Sequence, residues 1–98
     1  MRRIKILNKN KYLCYMFATA PLMLLVASED DEISPKVCAT LAAQLKQRGN
    51  EIDFVVYQGA RHAYDDPGKT RQSHAPNKAA MEDTLRRAEA FFRKHLQP

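Results

Sequence analysis

Residues 21–57 read PLMLLVASEDDEISPKVCATLAAQLKQRGNEIDFVVY, and this stretch decides the fold. Two short apolar runs, residues 22–28 and 51–57, lie on either side of a segment with helical spacing. The second run is apolar on both faces apart from Asp53, which is typical of a strand in a parallel sheet that is covered on both sides. The order strand, helix, strand therefore predicts an α/β fold with parallel strands.

The segment between the two strands carries the signals of one helix. Ser34 and Pro35 suit its N-cap and its first position, and Gly49 suits a left-handed residue just past its end. On the apolar stripe we expect Cys38 to be a small buried hydrophobic residue. The stripe consists of Val37, Cys38, Leu41, Ala42 and Leu45.

A long loop, residues 59–76, follows the second strand. It contains two prolines and two glycines, and loops of this length inside a compact domain are often functional. We expect a last helix from about Lys78 to Leu96, and we expect His74 and His95 at the surface. The apolar stripe of this helix that we expect to face the core consists of Met81, Leu85, Ala88, Phe92 and Leu96.

The net charge of +5 is confined to the N-terminus. The other 11 basic residues of the 98-residue chain are balanced by 11 acidic ones. A basic tail on a neutral body is not a basic binding face, and no aromatic pattern indicates base stacking, so we expect no nucleic-acid partner. The five N-terminal charges are those of Arg2, Arg3, Lys5, Lys9 and Lys11.

The N-terminal segment has two interpretations. A basic start followed by an uncharged run over residues 12–28 is typical of a signal peptide. The run is short for a membrane span and contains Pro21, and its second half is equally typical of a buried strand. Because a helix and a second strand follow, we interpret that half as a strand. This leaves residues 1–20 unassigned, makes residues 21–98 one domain, and predicts a cytoplasmic chain with no membrane partner.

Acidic residues and a histidine follow the two predicted strands. Asp30 and Asp31 come after the first strand, and His62 comes after the second. In a parallel sheet, functional groups gather at the carboxyl ends of the strands. A histidine that acts as a general base needs a carboxylate on its other ring nitrogen, which fixes its tautomer and stabilises its cation. An acid before a histidine is also the order in which an α/β-hydrolase triad is completed.

Three stretches resemble the C-terminal part of the dienelactone hydrolase family, and the resemblance covers roughly residues 21–97. They read PLMLLVASEDDEISPKVCATLAAQLKQRG, VVYQGARHAYDDP and AMEDTLRRAEAFFRKHL. The resemblance implies the C-terminal portion of an α/β-hydrolase, with an incomplete sheet. It makes His62 the catalytic base and Asp30 the catalytic acid, in a G-x-x-D pattern whose glycine is here Ala27. Asp31 is the fallback for the acid.

The same resemblance implies a nucleophile that the sequence lacks. The family's cysteine or serine lies in G-x-[CS]-x-G, whereas the three glycines of the chain, Gly49, Gly59 and Gly68, flank no serine or cysteine at that spacing. We therefore expect a fragment of an ester or lactone hydrolase that is inactive alone. Its open sheet edges predict a partner segment or self-association. The alternative is a non-catalytic remnant or interaction module derived from that family.

The resemblance limits the substrate of a completed site to an ester, a thioester or a lactone. Asp66 stands where dienelactone hydrolases have an arginine for a substrate carboxylate, which disfavours an anionic substrate. We call residues 59–76, the loop that carries His62, the histidine loop. Tyr64 is expected to pack over this loop. No metal or cofactor is expected, because the histidines do not cluster with acids or cysteines at ligand spacing, and neither do Cys14 and Cys38.

Overall fold

The computed structural model describes residues 3–7, 13–17 and 21–96. In this part of the chain three strands are followed by a helix, a fourth strand and two further helices. Their order is β1 (Arg3–Leu7), β2 (Leu13–Phe17), β3 (Leu22–Ala27), α1 (Pro35–Gln47), β4 (Ile52–Tyr57), α2 (Lys69–Gln72) and α3 (Ala75–His95).

Two separate pairs of strands are present in the described residues. β1 and β2 form an antiparallel pair within the N-terminal segment that the sequence left unassigned. β3 and β4 form a parallel pair whose register runs from Leu22 opposite Ile52 to Ala27 opposite Tyr57. The predicted α/β fold with parallel strands is confirmed. Among the described helices, none combines the length and apolarity that a membrane crossing requires.

Helix α1 begins and ends where its local signals predict. The Ser34 hydroxyl accepts a hydrogen bond from the backbone N–H of Val37 at 3.3 Å, and Pro35 opens the helix. Gly49 follows the last turn with φ +86°, a left-handed conformation that favours glycine. The helix packs against both β3 and β4. Its buried side chains are Cys38, Leu41, Ala42 and Leu45, as predicted.

The long loop is shorter than predicted, because α3 begins at Ala75 rather than near Lys78. Pro76 lies in the first turn of α3, as Pro35 does in α1, and its missing N–H is one that this turn leaves unbonded in any case. The short helix α2 lies within the remaining loop. Pro76 thus marks the start of α3 in the sequence in the way that Pro35 marks the start of α1.

The prediction that the apolar stripe of α3 is core is wrong for most of its length. Leu85 is 63% exposed, and Phe92 and Leu96 are also exposed. The residues of α3 that are buried, Asn77 and Ala80, lie in its first two turns. Spacing along a helix predicts a stripe, but only neighbouring elements bury it, and the described elements cover mainly the N-terminal part of α3.

The faces of β3 and β4 are only partly covered in the described chain, as expected for two strands of an incomplete sheet. β4 has half-buried residues and an exposed one, and in β3 only Val26 and Ala27 are buried. Two short strands and two packed helices do not supply enough surface to cover a sheet. Within β3, the buried residues are at the carboxyl end.

A cluster of buried apolar residues lies at the loops that follow the strands. It joins the end of β3 to the loop after β4 and to α3, and Tyr57 and Met81 pack against its side. This cluster gives those loops a rigid base. Its buried members are Ala27, Ala60, Tyr64 and Ala80.

Candidate active site

The loops that follow β3 and β4 are joined by hydrogen bonds between them. The backbone N–H of Glu29 donates to the carbonyl of Ala60 at 3.0 Å, and the N–H of Gly59 donates to the hydroxyl of Ser28 at 2.8 Å. Parallel strands end at the same edge of a sheet, so the residues after them meet there. The next residues in each loop are those that carry the candidate acid and histidine.

Asp30 is held by its own loop. Its Oδ1 accepts hydrogen bonds from the backbone N–H groups of Glu32 and Ile33, both at 2.9 Å. Burial acts to raise the pKa of Asp30, but the two backbone hydrogen bonds and the contact with His62 outweigh it, so the pKa lies below its ordinary value of 3.8. Asp30 is therefore a fixed, charged group at this edge of the sheet.

His62 contacts this fixed carboxylate. Its Nδ1 lies 3.2 Å from both Oδ1 and Oδ2 of Asp30. The side chain of Asp30 is 12% exposed and that of His62 is 31% exposed, so the carboxylate is the more buried member of the pair. Asp31, the fallback for the acid, is exposed. The structure thus brings together the two residues that the sequence singles out, and it selects Asp30 over Asp31 as the partner of the imidazole.

A second carboxylate lies on the other side of the ring. Oε2 of Glu32 is 3.2 Å from Nε2 of His62, and the side chain of Glu32 is 64% exposed. The sequence did not single out Glu32 as a site residue. In the structure its backbone N–H donates one of the two backbone hydrogen bonds to Asp30. An acidic residue two positions after the candidate acid was a weak signal, because acidic runs after strands are common at helix starts.

The backbone next to His62 has an unusual conformation. Ala63 has φ +57°, a left-handed conformation that residues with a Cβ seldom adopt. Gly59, earlier in the same loop, has φ +81°, and a Cβ there would lie 3.2 Å from the ring of Pro76. The loop therefore turns sharply on both sides of Arg61 and His62, and this turn directs the imidazole toward Asp30.

A buried asparagine in the first turn of α3 holds the histidine loop by hydrogen bonds. Asn77 is 2% exposed; its Oδ1 accepts from the backbone N–H of Arg61 at 2.8 Å, and its Nδ2 donates to the carbonyl of Arg71 at 3.1 Å. The Nε2–H of His74 donates to the carbonyl of Gly59 at 2.8 Å. The expectation that His74 is a surface residue is therefore wrong. Its ring is half-buried and supplies the hydrogen bond that the backbone carbonyl of Gly59 needs.

His95 is also placed differently from the expectation. Its half-buried ring packs against Phe91 with the ring centroids 4.5 Å apart. The amphipathic ring of a histidine near a helix end can bury its apolar part against an aromatic neighbour. His95 therefore belongs to the packing of α3, at the opposite end of that helix from the candidate site.

Two tyrosines pack beneath the histidine loop. The rings of Tyr57 and Tyr64 meet edge to face with centroids 5.3 Å apart. The Tyr64 hydroxyl hydrogen-bonds that of Thr84 at 2.7 Å, and the Tyr57 hydroxyl donates to Asp83 at 2.8 Å. Burial raises the pKa of both tyrosines. Tyr64 therefore packs against the rest of the histidine loop, as expected, although beneath the loop rather than over it.

The far end of the histidine loop is closed by its own polar groups. Nε2 of Gln72 donates to the carbonyls of Tyr64 and Asp66, at 2.8 and 2.7 Å. The side chain of Asp66 accepts from the N–H of Gly68 at 2.8 Å. In the described part of the chain, no group of three or more His, Cys, Asp or Glu side chains is arranged to hold a metal ion.

The geometry defines what this pair can do chemically. With a hydrogen on Nδ1 donated to Asp30, the imidazole presents Nε2 as the atom that takes up and releases protons. A carboxylate on Nδ1 also stabilises the cation that forms when Nε2 is protonated. These are the properties of a general base next to its orienting acid.

The chain matches the family described as the prolyl oligopeptidase family over residues 2–98. Neither the curated proteins nor the solved structures give a significant match.

Proposed function

The chain belongs to the prolyl oligopeptidase family, a family of α/β-hydrolases, and on this premise we propose that it supplies the acid and the general base of a hydrolase site. Asp30 is the acid and His62 is the base. The observation that carries this proposal is the contact of Nδ1 of His62 with both carboxylate oxygens of Asp30, at 3.2 Å. It occurs where functional groups gather in an α/β sheet, at the carboxyl ends of two parallel strands.

The proposed reaction is the transfer of an acyl group to a hydroxyl or thiol nucleophile and then to water. As the nucleophile attacks the acyl carbon, its proton passes to Nε2 of His62, and Asp30 stabilises the resulting imidazolium. The imidazolium then donates this proton to the leaving group, and a covalent acyl intermediate remains. In the second half, His62 takes a proton from the attacking water and returns it to the nucleophile as the acid product leaves.

We propose that the nucleophile comes from another polypeptide segment. The sequence has no G-x-[CS]-x-G elbow, and an acid–histidine pair without a nucleophile and an oxyanion hole has no acyl intermediate to form. The segment that supplies them would pair with an open edge of the β3–β4 sheet, since unpaired strand edges are ready to accept another strand. The chain by itself is then inactive.

The proposed substrates have in common an acyl group whose bond to the leaving group is cleaved, and they differ in the rest of the molecule. The resemblance to dienelactone hydrolases favours esters, thioesters and lactones, and the name of the matched family adds peptide amides. All four are cleaved by the same sequence of proton transfers at His62. Asp66, at the position of the arginine of dienelactone hydrolases, favours substrates without a carboxylate there.

A second candidate is a non-catalytic remnant or an interaction module derived from this hydrolase family. The observation that favours it is the exposed apolar stripe of Leu85, Phe92 and Leu96 on α3, which would be covered on association. Both candidates predict association through surfaces that the chain leaves open. They differ in whether His62 matters once a partner is bound.

Complementation separates the two candidates. The chain is co-expressed with a segment of a prolyl oligopeptidase family member that carries the nucleophile elbow, and the complex is isolated through a tag on one part. Hydrolysis of an activated ester is then measured for the wild-type chain, for His62→Ala and for His95→Ala. We expect the isolated chain to match the buffer rate. We expect the complex to be active with the wild-type chain and with His95→Ala, and inactive with His62→Ala.

Each contrary result has a defined meaning. A complex that forms but is equally active with wild-type chain and with His62→Ala contradicts the proposed role of His62. A complex that forms and stays inactive supports the interaction module. Activity of the isolated chain that is lost in His62→Ala would locate the nucleophile within these 98 residues.

A further inference from the structure

The reactive nitrogen of His62 already has a partner in this chain. Oε2 of Glu32 lies 3.2 Å from Nε2, on the side of the ring opposite Asp30. Asp30 holds the backbone of Glu32, because Oδ1 of Asp30 accepts the backbone N–H of Glu32 at 2.9 Å. One carboxylate thus orients the imidazole and also places a second carboxylate at its other end.

Carboxylates on both nitrogens restrict what the imidazole can do. Glu32 contacts Nε2 as an ion pair, and this contact is attractive only when the imidazole is charged, with a hydrogen on each ring nitrogen. In that state Nε2 has no lone pair available for the proton of a nucleophile. The oxygen of Glu32 also occupies space next to Nε2 that an attacking hydroxyl or thiol must enter to come within hydrogen-bond reach.

On the premise of the proposed function, we propose that Glu32 is a positioning residue that acts through His62 and keeps the incomplete site closed. Glu32 holds Nε2 until the segment that carries the nucleophile docks, and the nucleophile then replaces the Glu32 carboxylate at this nitrogen. The chain is thereby prevented from presenting a free base to solvent before the site is complete.

The exposure of Glu32 is what makes this exchange possible. Its side chain is 64% exposed, whereas that of Asp30 is 12% exposed. An ion pair with one largely exposed partner is weak and is easily replaced, whereas a carboxylate held by backbone hydrogen bonds is not. The two contacts of His62 are therefore unequal: the Asp30 contact is permanent, and the Glu32 contact is exchangeable.

The chemical reactivity of His62 tests this proposal in the chain as it exists. Diethyl pyrocarbonate acylates imidazole nitrogens that lack a hydrogen, and peptide mass spectrometry reports the rate at each of the three histidines. We expect His62 to react several-fold faster in Glu32→Gln than in the wild-type chain. Asp31→Asn is the matched control, because it removes one exposed negative charge from the same loop, and we expect it to leave the rate unchanged. His74 and His95 serve as internal references.

A second measurement reports the ring contact directly. In ¹⁵N-labelled chain, the chemical shift of Nε2 of His62 should change in Glu32→Gln but not in Asp31→Asn, because only Glu32 contacts this nitrogen. Equal His62 reactivity in the wild-type chain and Glu32→Gln overturns the proposal, and so does an equal acceleration in both variants, which would indicate a general charge effect.

The two proposals can fail separately. Suppose that Glu32→Gln accelerates the modification of His62, but the hydrolytic activity of the complemented complex is the same with and without His62. The proposed role of Glu32 is then supported, and the catalytic role of His62 is contradicted. Suppose instead that the activity of the complex requires His62, but Glu32→Gln leaves the modification rate of His62 unchanged. The catalytic role of His62 is then supported, and the proposed role of Glu32 is contradicted.

Discussion

Nδ1 of His62 lies 3.2 Å from both carboxylate oxygens of Asp30, although the two residues are 32 positions apart in the chain. The same carboxylate accepts two backbone hydrogen bonds from its own loop. A single side chain thus joins the loops after β3 and β4, so its charge should contribute to stability as well as to chemistry.

Asp30→Asn should lower the stability of the chain in a pH-dependent way. The pKa of Asp30 in the folded chain lies below 3.8, so ionised Asp30 contributes stability that is fully present above 3.8 and is lost as the pH falls through the folded value. Asparagine keeps an oxygen for the backbone amides, so we expect a loss of roughly 1 kcal/mol at neutral pH. Urea denaturation across this pH range measures the difference.

The two unfolding curves should converge in acid. Asp31→Asn, the exposed neighbour, should stay within about 0.5 kcal/mol of the wild-type chain throughout. A difference between Asp30→Asn and the wild-type chain that keeps its full size far below pH 3.8 would mean that the charge of Asp30 is not what stabilises the two loops.

Ala63→Gly should stabilise the chain. The left-handed φ of +57° at Ala63 costs about 1–2 kcal/mol for a residue with a Cβ, and glycine removes this cost while adding about 0.4–1 kcal/mol of chain entropy in the unfolded state. We expect a net gain of roughly 0.5–1 kcal/mol in the free energy of unfolding. Ala43→Gly, at an exposed position inside α1, should instead lose about 1 kcal/mol. Equal losses in both variants would show that the turn at Ala63 carries no strain.

Much of the scaffold was predictable from local signals. The limits of α1 follow from Ser34, Pro35 and Gly49, and the strands follow from their apolar runs, because caps and runs act within a few residues. The pairing of Asp30 with His62 was also predictable, since parallel strands bring their carboxyl ends to one edge. These features can be predicted without knowing which helices and strands pack against one another.

The features that escaped prediction depend on distant contacts. The exposure of Leu85 follows from which elements cover α3, and helical spacing does not contain that information. The contact of Glu32 with His62 depends on the turn that Asp30 makes with its own backbone amides. Asn77 is a polar residue in a helix, and only the path of the loop above it explains its burial.

Asn77→Ala should be among the most destabilising polar substitutions in the described chain. It removes the partner of the backbone N–H of Arg61 and one partner of the carbonyl of Arg71, which also accepts the backbone N–H of His74 at 3.3 Å. An unsatisfied group away from water costs about 1–3 kcal/mol, so we expect a loss of roughly 1–2 kcal/mol in urea denaturation. Lys78→Ala, an exposed position in the same turn, should change stability by less than about 0.5 kcal/mol. Similar small effects of both substitutions would mean that the loop is held by other contacts.

Replacing Phe92 and Leu96 by serine should weaken self-association of the chain. Both side chains are large, apolar and exposed on α3, and burying each at an interface contributes about 1.5–3 kcal/mol. The dissociation constant of the self-associated form, measured by sedimentation velocity over a concentration series, should therefore rise at least roughly tenfold. Ile33→Ser is the matched control, because it removes an exposed apolar side chain outside α3, and it should leave the dissociation constant unchanged. A wild-type chain that sediments as a monomer at every concentration would show that this stripe does not bind a second copy.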